Sequence, residues 1–527
     1  MSDAVTGLGL LVRTFLRRDR WMILWFTVGV TLLYWSQAAS VRGLYSTQAE
    51  LDRAAASMGG NAAFVAMAGP PRALNTAGGQ VTWQASAFGA IAVGLMAMFL
   101  IGRHTRAEEE SGRDELVRSS VVGRQAPMTA ALAVVVLACA VVGGGVAGSL
   151  VAYELPVAGA VANGLGVALC GIAFGTLALL AAQLTGSTRA AYGITGAVIG
   201  VSYVLRAIGD VGNGVLSWLS PIGWYQAMHA FSGERWWPAV LLLGLAVTLG
   251  AASYAVFARR DIGAGMWPPR PGPARASAAL ASGLGLAWRL QRPSLLGWSI
   301  GMFLGGLAYG SIGSDIESLM GDSAFARDVF GAGSGDVVDG FYAAAALMLV
   351  LIACGFPLSS ALRPRSEELD GRVEPLLATA LPRARWLLGH VLVTLLGTVL
   401  VAVLAGLGMG IGFAFVTGDT GRIAPFIGAT TSLLPGVLLL AAIAGLLYGV
   451  QPLLAPLTWL VLVLCVVVML FGDVLRLPEP VLWLSPFHHL SAYPAVPVAW
   501  SAFCIVLVLA VLVSGAGVLA FRRRDLR

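Results

Sequence analysis

The sequence predicts an all-α polytopic membrane protein of about twelve transmembrane helices, arranged as two parallel six-helix repeats. Three observations predict it. The 527 residues are 57% hydrophobic, with a mean hydropathy of +0.81, against about 45–50% apolar residues in soluble domains. Apolar runs of about 20 residues recur along the whole length, as a hydrocarbon core about 30 Å thick demands of a helix. The chain also repeats itself: Arg106, Glu108, Glu109, Gly112, Arg113, Glu115 and Arg124 recur without a gap as Arg365, Glu367, Glu368, Gly371, Arg372, Glu374 and Arg383.

Taken in order, Leu8, Leu11, Val12 and Phe15 fall at helical spacing with Arg13, Arg17 and Arg20 off that face. That pattern predicts an amphipathic helix on the membrane surface. A first span follows over Trp21–Ser40 and a second over Thr82–Gly102, with a polar loop between them. The charged elbow 103–128 comes next, then spans over Thr129–Tyr153 and Pro156–Gln183, a fifth ending near Arg206, and a sixth closing at Phe257-Ala-Arg-Arg-Asp261. A linker rich in Pro and Gly leads into a restart of the pattern. The seventh span begins near Leu295, the eighth ends near Leu362, and the second elbow covers 363–385. The last four spans lie over Trp386–Val416, Pro425–Val450, Leu453–Phe471 and Ala499–Phe521.

Two further matches extend the duplication. Trp218-Leu-Ser-Pro221 recurs as Trp483-Leu-Ser-Pro486, and Phe257-x-Arg-Arg-Asp261 as Phe521-x-Arg-Arg-Asp525. The halves are therefore collinear: residues 1–262, a linker 263–279, and residues 280–527. An even number of spans per half points both halves the same way. All 33 basic residues are Arg. With both termini cytoplasmic, 25 of them fall in cytoplasmic segments and 8 (at 42, 53, 72, 206, 235, 327, 422 and 476) fall outside, the asymmetry of a positive-inside topology. A bacterial plasma-membrane location follows as the expectation.

Several functions are excluded or disfavoured. Without Lys there is no Walker-type phosphate loop, and the polar segments are too short for a nucleotide-hydrolysing domain. The acids sit almost entirely in loops and at span ends, and only His390 falls inside a span, one turn from its cytoplasmic end. An ion-coupled carrier needs titratable groups at membrane depth, so that reading is the alternative. Cys139, Cys170, Cys354, Cys465 and Cys504 lie singly in apolar runs, which reads as packing, with no metal spacing or disulfide framework. No nucleophile–base set or acid pair supports a membrane enzyme.

The repeated elbows read as contact surfaces used twice, each with acids near the start of a short helix and an Arg suited to its end. The pattern Arg-x-Glu-Glu-x-x-Gly-Arg-x-Glu between a second and third span, preceded by a basic amphipathic helix, resembles the type-two ABC exporter permeases. The doubled arrangement is similar to the actinobacterial branch of exporters of polyketide antibiotics. The resemblance implies that residues 106–124 and 365–383 are coupling helices and that residues 8–20 and 280–292 are connecting helices. It also implies two copies of a separate ATP-binding subunit as partners, with ATP and Mg2+ bound there and no cofactor in this chain. The elbows differ where Leu369, Val373 and Pro375 replace Glu110, Asp114 and Leu116, so equal docking is not expected.

The same resemblance suggests re-entrant hairpins closing an outer gate, with Ser-Pro breaking the helix. The candidates are Trp218, Pro221 and Trp224 in the first half and Trp483, Pro486 and His488 in the second; His229 and His488 add a candidate pH response. By the same analogy the substrate path is lined by spans two, five, eight and eleven, where Phe88, Met96, Phe99, Tyr203, Met348, Trp459 and Met469 are the large adaptable side chains. Such a lining, without buried charge, suits bulky amphipathic compounds.

Overall fold

The computed structural model describes residues 3–44, 47–59, 62–261, 263–267, 274–311, 337–471 and 477–525. Every regular element among them is helical, as expected where no water is present to satisfy a stray backbone N–H or C=O. The expected loop around Asp315–Asp339 lies mostly outside the described residues, as do Arg327, Arg476 and the middle of the linker. Two compact units divide the chain, Met1–Gly272 and Pro273–Arg527.

Ten helices among the described residues are long and apolar enough to cross a membrane. They take the places of the expected spans except the seventh and eleventh. Those two places hold the helix Gly283–Gly310, which carries Arg289 and Arg292, and the 14-residue Thr458–Phe471.

In unit one, α1 (Leu8–Leu44) is a single helix of 37 residues. The surface helix expected at 8–20 is thus continuous with the first span, because Leu8, Leu11, Val12 and Leu16 pack on the unit's core instead of lying apart from it. Two short helices follow, α2 (Gln48–Gly59) and α3 (Ala62–Ala68), before α4 (Ala77–His104), whose N-cap Thr76 accepts from the Gly79 amide at 3.1 Å. The elbow holds α5 (Arg106–Glu110) and α6 (Arg113–Arg118). Then come α7 (Ala126–Ala152), α8 (Val157–Leu184), α9 (Thr188–Val211), the short α10 (Pro221–Gln226) and α11 (Trp237–Arg259). The backbones of α7 and α8 touch where Gly143 and Gly164 each face the other's carbonyl; any side chain there would part them. A buried chain of hydrogen bonds ties four helices together: Tyr34 to Tyr225 (2.8 Å), Tyr225 to Asn163 (2.5 Å) and Asn163 to Thr82 (2.6 Å).

Unit two opens with α12 (Gly283–Gly310), capped by Ser282. The eighth span and its elbow are built from α13 (Val337–Ala353), α14 (Gly355–Ala361), α15 (Arg363–Leu369) and α16 (Val373–Leu377). After α17 (Arg383–Thr417) the tenth span is not one rod. It breaks into α18 (Ile423–Thr431) and α19 (Leu434–Val450), with Pro435 in the first turn of the second piece. Beyond α20 (Thr458–Phe471) and α21 (Glu479–Leu482), the described chain ends with α22 (Trp500–Arg523).

Candidate functional site

The repeated elbow motif and the repeated Phe-x-Arg-Arg-Asp motif meet inside each unit. In unit one Glu109 is gripped by Arg106 and by Arg260, whose Nη1 lies 3.0 Å from the carboxylate. Arg260 also donates from Nε to Gln183 at 2.8 Å, and the wholly buried Arg106 donates to the Thr185 carbonyl. In unit two Glu368 takes the place of Glu109 and Arg524 that of Arg260: two bonds at 2.7 and 2.8 Å join them, and Tyr448 Oη donates to the same carboxylate at 2.7 Å. Arg524 lies over the rings of Tyr448 and Phe521. Burial works against its charge, but the bonds to Glu368 outweigh this and raise its pKa above the ordinary value.

The last Arg of each motif completes the clasp. Arg124 Nη2 lies 3.4 Å from the carbonyls of Phe257 and Arg260, and Arg383 donates to the Arg524 carbonyl at 3.0 Å. Both thereby meet carbonyls that the closing helices α11 and α22 leave unpaired at their C-termini, where a cation is favoured. Gly112 and Gly371 sit between the two short helices of their elbows at φ +72° and +68°, a left-handed turn that suits Gly because it has no Cβ to clash. Each elbow is therefore a bent pair of short helices where a single short helix was expected.

The remaining motif residues divide into an inner and an outer set. Glu108 pairs with Arg18 of α1 and lies 3.8 Å from Arg113. Glu367 is buried between Arg363 (2.6 Å) and Arg372 (2.8 Å), and Arg365 donates to the Pro452 carbonyl at 2.7 Å. Arg113, Glu115, Arg372 and Glu374 are exposed, as are Leu116 and Leu369. Exposed charge in the elbow motifs is thus confined to the outer set. Sequence differences between the elbows sort the same way: Asp114 and Val373 are both buried, Val373 in a cluster with Trp386, Tyr448 and Phe521. Glu110 and Leu369 are both exposed, and Glu110 caps the start of α9 through the Thr188 amide (2.9 Å) and hydroxyl (2.6 Å).

Sequence reasoning missed a second pair of contacts. Asp19 and His104 are buried against each other, with Arg103 2.8 Å from Asp19 and Phe15 stacked on the imidazole at 3.9 Å. Asp19 is the only acid between Asp3 and Glu50, and that isolation was the available signal. Aligning Arg17-x-x-Arg20 with Arg289-x-x-Arg292 places Gln291 at the Asp19 position. Gln291 in turn bonds His390 Nδ1 (3.1 Å) and Ser360, which lies 2.6 Å from Thr394. Unit one thus pins its first long helix to the span before its elbow, and unit two pins α12 to the spans on both sides of its elbow.

The path candidates scatter. Phe88, Phe99, Met348 and Trp459 are exposed, whereas Met96 is wholly buried in the core of unit one and Met469 packs on a core cluster of unit two. Tyr203 is anchored by its hydroxyl to the Met67 carbonyl at 2.9 Å, beside a buried Arg206 that donates to Ala66 and Met67.

At the gate positions, Trp218 stacks on Trp237 at 5.3 Å, and its carbonyl accepts from Trp224 Nε1 at 2.7 Å. Trp483 and His488 are exposed, while Pro221 and Pro486 are buried. Ser220-Pro221 falls at a helix break, as expected: Ser220 is extended and parts the short helix Leu216–Leu219 from α10, which it caps by accepting from the Gly223 amide, and Pro221 occupies the first turn, where its missing N–H costs nothing. His229, expected as a pH-responsive group, has its pKa pushed down to about 4 by burial and by Arg72 and Arg235, so its ring is neutral at physiological pH.

Two comparisons bear on identity. Residues 280–522 match the family described as multidrug efflux system permease Rv1217c, C-terminal domain. The multidrug efflux system permease protein Rv1217c of Mycobacterium tuberculosis is 37% identical over 540 aligned positions, covering 100% of this chain and 96% of that protein. A likeness of that depth from end to end leaves no segment unaccounted for, and the chain belongs to the multidrug efflux system permeases of which Rv1217c is a member.

Proposed function

We propose that this chain is the membrane-spanning subunit of an ATP-driven exporter of the ABC type, moving hydrophobic or amphipathic drug-like compounds, with the elbows as its two coupling surfaces. Two copies of a separate ATP-binding subunit dock there, and ATP and Mg2+ act in that partner. The observation that carries the reading is the clasp. Each elbow is fastened on its inner side to the end of a closing span through Glu109–Arg260 or Glu368–Arg524, while its outer side offers Arg113 and Glu115, or Arg372 and Glu374, to a partner. A push on the outer face is then passed to the span instead of being lost in a loose loop. With the elbows cytoplasmic, as the arginine distribution favours, both termini lie inside the plasma membrane. The multidrug cargo is supported by the name of the mycobacterial relative.

Purification of the tagged chain in mild detergent, with quantified subunit ratios, tests the proposal. Two copies of a Walker-motif ATPase per chain, with transport lost on ATP depletion, is the expected result. A chain that purifies alone, and whose transport a proton uncoupler abolishes, would mark an ion-coupled carrier instead.

A further inference from the structure

Both units carry an exposed stripe, in the same register, that neither the clasps nor the outer elbow residues use. In unit one Arg17, Arg20, Leu24 and Val28 of α1 follow one another at intervals of three and four residues, so they line one side of the helix. Arg289, Arg292, Leu296 and Ile300 repeat that spacing on α12. All of these side chains are exposed, and the exposed Arg13 extends the first stripe by one more turn. The opposite side of each helix is held fast, Asp19 by His104 and Arg103, and Gln291 by His390 and Ser360. Neither helix can roll, so each stripe faces outward from its unit at a set angle.

The arginines of the stripes lack counter-charges. Their neighbours are paired, Arg18 with Glu108 and Arg103 with Asp19. Among the described residues, no hydrogen bond or ion pair engages the side chain of Arg13, Arg17, Arg20, Arg289 or Arg292. Along α1 the stripe passes from guanidinium to apolar side chains between Arg17 and Val28, a rise of about 16 Å and close to half of a hydrocarbon core about 30 Å thick. A ligand that matches it is anionic at one end and apolar over the depth of one leaflet. A soluble partner could meet the arginines but not Leu24 and Val28, which belong to the span. Two arginines one helical turn apart can hold the oxygens of one phosphate from two sides, since the guanidinium fork suits that group. Exposed Trp21 and Trp288 border the two pairs, as indoles do at a headgroup boundary.

We propose that each stripe binds one anionic diacyl phospholipid from the leaflet on the elbow side. The phosphate sits on Arg17 and Arg20, or on Arg289 and Arg292, and an acyl chain lies along Leu24 and Val28, or along Leu296 and Ile300. Arg13 gives the first site a third cation, so it is the tighter of the two. The first long helix of each unit is thereby tied to the bilayer on one side and to an elbow-flanking span on the other.

Native mass spectrometry of the full chain in mild detergent, titrated with dioleoyl-phosphatidylglycerol or dioleoyl-phosphatidylcholine, tests this. The arginines are exposed and unpaired, so Gln in their place leaves the fold intact. Expected for the wild type are two phosphatidylglycerol molecules held about tenfold more tightly than phosphatidylcholine, a preference that fades as salt rises. Arg17→Gln/Arg20→Gln should weaken one of the two by about tenfold and Arg289→Gln/Arg292→Gln the other. The control Arg522→Gln/Arg523→Gln, which removes exposed charge at the end of α22, should keep both. An equal loss in the control overturns the proposal, because the preference would then belong to surface charge in general. Equal affinity for the two lipids overturns it as well. So does displacement by glycerophosphoglycerol, the headgroup without its chains, which would mark a site for free anions.

Discussion

Glu368 and Arg524 form a two-bond ion pair, at 2.7 and 2.8 Å, that fastens the second elbow to the end of α22. Glu109 and Arg260 do the same for the first elbow and α11. Both carboxylates are largely buried, so removing one leaves a charged guanidinium with no counter-charge. Loss of one partner of a buried pair typically costs about 3–5 kcal/mol. Glu368→Ala should therefore lower thermal stability sharply, and the double variant Glu368→Ala/Arg524→Ala should cost less than the sum of the single changes. Thermal unfolding of the four proteins in one detergent gives the cycle; additive losses would show that the pair is not a unit.

The two elbow glycines call for a subtler change. At φ +72° and +68°, Gly112 and Gly371 have open space where a Cβ would go, so only the backbone opposes a side chain. Gly371→Ala should destabilise by about 1 kcal/mol, with Gly371→Asn milder because Asn tolerates the left-handed region. Equal stability of the Ala and Asn variants would contradict a conformational origin.

Much of this arrangement was legible in the sequence, and the part that was not has a physical reason. Duplicated charged motifs in an apolar chain pointed to the elbows and to the Arg pairs closing each half. What no spacing could say is that Glu109 meets Arg260 across 151 residues, because the pairing depends on how helices cross. Glu109 and Glu115 look alike as letters, yet one is buried in a clasp and the other exposed, and the phase of two short helices about Gly112 decides which. Met96 was read as a path residue and Asp19 as part of a surface helix for the same reason: both assignments rest on which face of a helix meets a neighbour. The break at Ser432–Leu433 had a local signal, Thr430-Thr431-Ser432 followed by Pro435, inside a run apolar enough to be read as one span.

His229 gives a pH dependence whose sign follows from its surroundings. Burial, Arg72 and Arg235 lower its folded pKa from 6.5 to about 4. Between those values the unfolded chain binds the extra proton, so stability rises with pH. The contribution is fully present above pH 6.5 and is lost as pH falls through 4. The melting temperature should therefore drop on acidification from pH 7 to 4.5, and less so in His229→Gln, which keeps a polar side chain without the titration. Identical pH profiles for the two proteins would remove His229 from the account.

Glu115 and Glu374 separate docking from folding. Both are exposed on the outer side of their elbows, and neither belongs to the Glu–Arg clasps. Reversing their charge should leave the melting temperature of the isolated chain within about 0.5 kcal/mol of wild type in stability terms, as for ordinary surface sites. If the elbows dock an ATP-binding subunit as proposed, the effect in the complete transporter should be larger, because reversing a charge at a complementary interface replaces attraction by repulsion. Glu115→Lys/Glu374→Lys should therefore weaken capture of the ATP-binding subunit and uncouple its ATPase activity from transport. Arg113 and Arg372 are conserved between the two elbows while Leu116 is replaced by Pro375, so the single reversals should differ in size. Comparing them in reconstituted vesicles measures how unequally the two elbows share the work. Normal coupling in the double variant would move the docking surface away from these residues, whatever the fate of the clasp behind them.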